Sequence, residues 1–254
     1  MRVTVCELPH ESAALAAAWS GLCLHTAQQA SELVLLPEFA FVDPVWEAER
    51  FDAARWGAAE ALSHAWLARL PELQTAHVVG TRPVSSAGRP FNQGFLWSAT
   101  AGLTPLRSKF FLPSEPGGWE TNWFDRGDPI FPTYQAGPLS FGLNICTELW
   151  ALETYAAYAA LPVQAILAPR ATAAATRAKW LSASVVAAVR SGTFCLSSNR
   201  VDPTGACGGA GWIIDPDGYV LASTTPAAPF ATVDIDLTAS IAARGSYPRY
   251  VFPG

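Results

Sequence analysis

The chain has 254 residues, half of them apolar and 15% charged, with a formal net charge of −5. That length and apolar fraction suit one large α/β core, read here as a single domain over residues 1–254. An acidic, weakly charged composition without a run of Lys and Arg argues against nucleic acid and membrane as partners, and every long apolar stretch is broken before a spanning length.

Residues 2–8 open the chain as a strand rather than a secretory leader, because Pro9, His10 and Glu11 interrupt any apolar leader region. Cys6, Cys23, Cys146, Cys195 and Cys207 show neither metal-binding spacing nor an even disulfide set. Both features predict a cytoplasmic protein with free thiols. Ser12 is a candidate N-cap for an Ala-rich helix over residues 13–30. Residues 33–36 are a continuous apolar run ending in Pro37-Glu38, as expected of a strand buried on both faces.

A second helix is predicted over residues 53–70 and a third strand over 76–81. Residues 91–98 and 104–111 read as strands with no helix between them. Residues 112–132 form a loop-like insertion with three glycines, four prolines and two tryptophans; so long a loop in a compact domain is often functional. Next come a strand over 139–146, a helix from 148 to about 160, a strand over 163–168, a helix over 174–190 and a strand over 193–198. The end is strand and turn: 212–215, the turn Pro216-Asp217-Gly218, 219–223 and 230–235. Alternating αβ halves around β-rich layers predict sheets packed face to face with helices outside.

Three positions could carry chemistry. Glu38 follows a buried run, and the carboxyl ends of such strands are where α/β folds place ligands. A partly desolvated carboxylate there suits base work; the plain alternative is a surface Glu opening a loop. Cys146 sits at a strand-to-helix turn, where a helix N-terminus favours thiolate and backbone N–H groups can receive an oxyanion. The plain alternative is one more buried thiol. Lys109 lies between apolar neighbours, where a lysine can snorkel to solvent or, beside Glu38 and Cys146, stabilise developing negative charge.

At these residues the sequence resembles the nitrilase superfamily of carbon-nitrogen hydrolases, in its amidase-like branch. Leu35-Leu36-Pro37-Glu38-Phe39 looks like the family's strand-ending glutamate motif. Arg107-Ser108-Lys109-Phe110-Phe111-Leu112-Pro113 resembles its lysine motif. Gly142-Leu143-Asn144-Ile145-Cys146-Thr147-Glu148 resembles its nucleophile elbow, including the acidic residue two places after Cys. Order and spacing agree: Lys109 lies about 70 residues after Glu38, and Cys146 about 40 further on. Ser198-Asn199-Arg200, followed by Gly211-Trp212-Ile213-Ile214-Asp215-Pro216-Asp217-Gly218, looks like the family's closing segment. The likeness runs from about Arg2 to about Leu237.

The resemblance implies a four-layer αββα sandwich, a homodimer or larger homo-oligomer, and chemistry with no metal and no organic cofactor. It implies cleavage of a small-molecule amide through a cysteine thioester, with Glu38 as base, Lys109 and the N–H of Thr147 as oxyanion donors, and Cys146 as nucleophile. Some members place a second glutamate eleven residues after the lysine, which selects Glu120; Glu115 competes with it. Arg170 is a candidate partner for a substrate carboxylate, or else a bonder of loop carbonyls. Trp119, Trp123 and Trp150 are candidate pocket walls, or else core.

Nitrile-hydrolysing members often carry Trp after the nucleophile, where this chain has Thr147. Carbamoylase members place basic residues there, unlike Thr147-Glu148-Leu149. An amidase therefore leads, with N-carbamoyl hydrolysis, nitrile hydrolysis and acyl transfer behind it. A cysteine–histidine protease is the rival from another class, but His10, His25, His64 and His77 all precede Cys146 without a local motif. A binding protein retaining the fold is disfavoured because all three catalytic positions are filled.

Overall fold

The structure, a computed structural model, describes residues 1–252; Pro253 and Gly254, the end of the expected domain, lie outside the described residues. The first half runs β1 (Arg2–Pro9), α1 (Ser12–Gln29), β2 (Leu33–Leu35), α2 (Ala53–Leu67), β3 (His77–Ser86), β4 (Arg89–Ser98) and β5 (Gly102–Ser108). A short α3 (Glu120–Trp123) lies within the long insertion. The second half runs β6 (Thr133–Ala136), β7 (Leu139–Leu143), α4 (Glu153–Ala159), β8 (Ala165–Arg170), α5 (Arg177–Ser191) and β9 (Phe194–Val201). The chain closes with β10 (Trp212–Ile214), β11 (Val220–Ser223), β12 (Phe230–Asp234) and α6 (Thr238–Ala243).

The main strand path is β5-β4-β3-β2-β1-β9-β8-β7-β6. β1 serves both halves: Val3 to Val5 pair in parallel with β2, whereas Glu7 to Pro9 pair in parallel with β9. The curled sheet therefore folds back on itself at β1.

Alternation along the buried strands sorts their side chains into layers. Val34, Leu36 and Val78 pack with Trp19, Leu22 and Trp56 of α1 and α2. Their neighbours Leu33, Leu35 and Val79 face the other way and meet Leu143, Leu167 and Leu196. Ile166, Ala168 and Cys195 face outward again, onto Tyr155 and Tyr158 of α4 and Ala183 of α5. Three apolar interfaces separate four layers, so the fold is the αββα sandwich of nitrilase-type enzymes.

Several element ends differ from expectation. Glu11, not Ser12, caps α1, its carboxylate accepting from the N–H groups of Ala13 and Ala14. α2 stops at Leu67 and a 3₁₀ turn, Leu70–Leu73, follows, because Pro71 disfavours α geometry in the residue before it. The helix expected from residue 148 splits into a 3₁₀ turn, Cys146–Trp150, and α4. Asn144 Nδ2 takes the Glu148 carbonyl and also donates to Thr154 Oγ1, so the side chain intervenes where a continuous helix would bond to itself. β6 was not expected; it pairs with β7 at the edge of the sheet. No helix of the described residues is long and apolar enough to cross a membrane.

Candidate active site

The site is built from strand ends. Glu38 follows β2, Lys109 follows β5 directly, Cys146 follows β7, and Arg170 ends β8. Backbone bonds tie these ends together: Leu36 N donates to Val79 O at 2.8 Å, Glu38 N to Arg170 O at 3.2 Å, and Lys109 N to Asn92 O at 2.8 Å. Gly127 N reaches Lys109 O at 2.9 Å, an approach open only to glycine, since a Cβ there would lie 2.2 Å from Ser108 O.

Lys109 is fully buried between two carboxylates. Its Nζ donates to Glu38 Oε1 at 2.8 Å and to Glu120 Oε1 at 2.7 Å. Asn92 Nδ2 donates to the same Glu38 oxygen at 2.8 Å. The second oxygen of each carboxylate, Glu38 Oε2 and Glu120 Oε2, is buried without a protein partner. An ammonium has three N–H donors and two are spent on the carboxylates, so one is left for a reacting group.

Burial works against the charge on Lys109, but Glu120 and Glu38 outweigh it and hold the ammonium above the usual lysine range. Glu120 is pushed up to about 7, chiefly by burial; Lys109 opposes this and Glu38 adds to it. Burial also pushes the Cys146 thiol up, the Glu38 carboxylate reinforces this, and Lys109 opposes it. Where a helix N-terminus was expected to favour thiolate, the chain forms a five-residue 3₁₀ turn, Cys146–Trp150.

Cys146 occupies the left-handed region at φ 49°, which costs a non-glycine residue about 1–3 kcal/mol and must be imposed by its surroundings. Glu148 imposes it. Its carboxylate accepts from Ile145 N at 2.9 Å and Phe110 N at 2.7 Å, and forms a two-pronged pair with Arg107, with Nη2 to Oε1 at 2.9 Å. Arg107 also donates from Nε to Ile130 O at 3.2 Å and stacks on Phe131. One buried ion pair therefore locks the lysine segment against the nucleophile turn.

Cys146 and Glu120 open onto a hollow of about 270 Å³, also lined by Trp46, Thr147, Ala171 and Trp180. It adjoins an outer hollow of about 550 Å³ containing Phe111, Arg126 and Trp150; Pro113, Glu115, Thr147 and Trp180 line both. No histidine lines either one.

The structure thus brings Glu38, Lys109, Glu120 and Cys146 together and sets Thr147, Trp150 and Glu115 around the approach. Arg170 requires correction. It is fully buried and donates to Ser197 Oγ at 2.6 Å, Thr172 Oγ1 at 2.8 Å and Ala210 O at 2.6 Å, with its guanidinium stacked on Trp212. Every arm is occupied within the protein, so none is offered to a substrate. Trp119 and Trp123 are not pocket walls: Trp119 packs on the core between α1, α2 and the sheet, and Trp123 is buried there with its indole N–H donating to Ala48 O.

Sequence reasoning missed Asn92, Trp46 and Trp180. Asn92 carried little signal, since it is one of two adjacent amides, Asn92-Gln93, in the strand Arg89–Ser98, and only the fold shows that it is the buried one. The tryptophans carried none, because only the fold brings them to the hollow. The closing Asn199-Arg200 pair props the site from behind. Asn199 bonds both the N–H and the carbonyl of Thr172, and Arg200 Nη1 donates to Phe39 O at 2.7 Å and Val42 O at 2.5 Å.

Comparison with known proteins agrees with this fold. A carbon-nitrogen hydrolase from Helicobacter pylori G27 superposes with a TM-score of 0.86 at 17% identity, over 99% of this chain and 94% of that one. A carbon-nitrogen hydrolase superfamily protein from Xanthomonas campestris, carrying an arsenic adduct in its active site, gives 0.79 at 17% identity, over 99% and 96%. An amidase from Nesterenkonia sp. gives 0.78 at 17% identity, over 99% and 95%. No curated protein matches the sequence. The carbon-nitrogen hydrolase family model matches residues 2–244, and the chain belongs to that family.

Proposed function

We propose that this chain is a cysteine-dependent amidase that cleaves the non-peptide carbon–nitrogen bond of a small amide. The observation that carries the reading is the Lys109 ammonium, held 2.8 and 2.7 Å from two carboxylates that each keep a free oxygen, next to a thiol lining a hollow. The similar Nesterenkonia amidase has variants with acrylamide, or the acetamide moiety of fluoroacetamide, added at the active-site cysteine, which supports sulfur as the reacting atom.

In this reading Glu38 takes the proton of Cys146, and the thiolate attacks the amide carbonyl. The third N–H of Lys109 and the backbone N–H of Thr147 receive the oxyanion. Collapse breaks the carbon–nitrogen bond, and Glu38 returns the proton to the departing ammonia or amine. Water, oriented by Glu120 and deprotonated by Glu38, hydrolyses the thioester, releasing the acid and restoring the thiol. Assembly as a homodimer or larger homo-oligomer belongs to the same proposal, supported by exposed apolar side chains such as Ile241, Tyr250 and Phe252.

The test is intact mass after incubation with small amides, N-carbamoyl acids and nitriles, on wild type and Cys146→Ala. A substrate-sized adduct on wild type alone, with turnover reduced by a factor on the order of 10⁶ in the variant, is the expected result. Turnover surviving in Cys146→Ala would sink the scheme.

A further inference from the structure

Among the described residues, two carboxylates and no cation line the inner hollow. Among the described residues, the ionisable groups lining it are Glu115, Glu120 and Cys146. Lys109 lies behind them, paired with Glu38 and Glu120, and Arg170 is turned into the protein. Taken formally, the one cation, Lys109, faces three carboxyl groups, Glu38, Glu120 and Glu115. Its remaining walls mix Trp46, Pro113, Ala171 and Trp180 with the hydroxyls of Thr147, Thr172 and Thr176, all uncharged, so no lining group offsets the two carboxylates.

Glu115 stands apart from Glu120. Its backbone is held by reciprocal bonds with Gly118, Gly118 N to Glu115 O at 2.8 Å and Glu115 N to Gly118 O at 3.3 Å. Gly117, at φ 82°, supplies the left-handed step of that tight turn. The turn is therefore fixed, yet no hydrogen bond or ion pair among the described residues engages the exposed Glu115 carboxylate. It lines both hollows, at the passage between them. Arg126, the cation of the outer hollow, donates to Phe110 O at 3.1 Å and does not line the inner one.

We propose that the chamber beside Cys146 admits uncharged or cationic acyl groups and rejects anionic ones, with Glu115 as the specificity-determining carboxylate. Discrimination by an unpaired like charge needs no contact with the favoured substrate, only repulsion of the wrong one. As a statement about substrates this rests on the amidase reading. The charge preference itself is a property of the chamber and can be measured without turnover.

The probes are iodoacetamide and iodoacetate, which alkylate the same sulfur and differ by one negative charge. Alkylation at Cys146 is followed by peptide mass, and the rate ratio of the two reagents is divided by that for a free small thiol. This cancels the reactivity of the sulfur itself. In wild type at low salt the normalised preference for iodoacetamide should be about tenfold or more, and Glu115→Gln should reduce it about three- to fivefold. Raising the salt to about 0.5 M should erode the Glu115 share, because that carboxylate faces solvent. A normalised ratio near one, or a Glu115→Gln variant that changes both reagents alike, overturns the proposal. In turnover, an uncharged amide such as propanamide should be preferred to the half-amide of butanedioic acid. If no amide is hydrolysed while the alkylation preference holds, the amidase reading fails and the charge selection stands.

Discussion

Two buried charge clusters lie within a few residues of each other, and their hydrogen bonds are arranged differently. In the first, Lys109 bridges Glu38 and Glu120, and each carboxylate keeps a buried oxygen with no partner. In the second, Glu148 gives both oxygens to Arg107 and accepts two backbone N–H groups as well. Burial is nearly complete in both. A fully satisfied pair fixes geometry, whereas an incompletely satisfied one holds acceptors ready for protons and substrate at a cost in stability. Charge alone therefore does not distinguish scaffold from chemistry here; the unused hydrogen-bonding capacity does.

The comparison predicts opposite phenotypes. Arg107→Ala leaves Glu148 buried without its cation, so urea unfolding should show a loss of about 3–5 kcal/mol. Wild-type stability in that variant would mean the pair clamps nothing. Glu120→Gln, by contrast, should lower amide turnover about a hundredfold while circular dichroism shows the fold intact. A large unfolding defect with normal turnover would place Glu120 with the scaffold instead.

A smaller effect separates Arg170 from both clusters. Arg170→Met strands Ser197, Thr172 and the Ala210 carbonyl and should cost about 1–3 kcal/mol. The ratio of KM for anionic to uncharged amides should not move; a selective rise for the anionic amide would restore the carboxylate-binding role. The gentlest test is pH. Glu120 is raised from 4.5 to about 7, so the folded state binds its proton more tightly than the unfolded chain does. That contribution is complete below about pH 4.5 and is lost as pH rises through about 7. Stability should therefore decline across that window, and Glu120→Gln should flatten the decline; an unchanged slope in the variant would remove Glu120 as its source.

Motifs at strand ends made much of the centre legible. Glu38 and Cys146 each end a largely apolar segment, Lys109 closes the strand-like segment Leu106-Arg107-Ser108, and the insertion with three glycines and four prolines marked where another carboxylate would enter. What the sequence left open was the direction in which side chains point. Glu115 and Glu120 were rivals for one place in the same loop; α3 turns Glu120 onto Lys109, while the Glu115–Gly118 turn leaves Glu115 at the passage between the hollows. Arg170 and Trp119 were candidates for the pocket, yet the fold buries Arg170 among protein acceptors and packs Trp119 against the core. Asn144 broke a helix that local propensity continued.

The alternation of strands and helices, the strand ends where polar groups collect, and the family likeness were legible before folding, because they follow from local periodicity and contiguous motifs. Long-range packing settles which carboxylates share Lys109, which arginines are occupied within the fold, and that no cation among the described residues lines the chamber beside Cys146. Those outcomes depend on segments far apart in the chain, such as Asn92 with Glu38 and Arg107 with Glu148, that meet only when the sheets close.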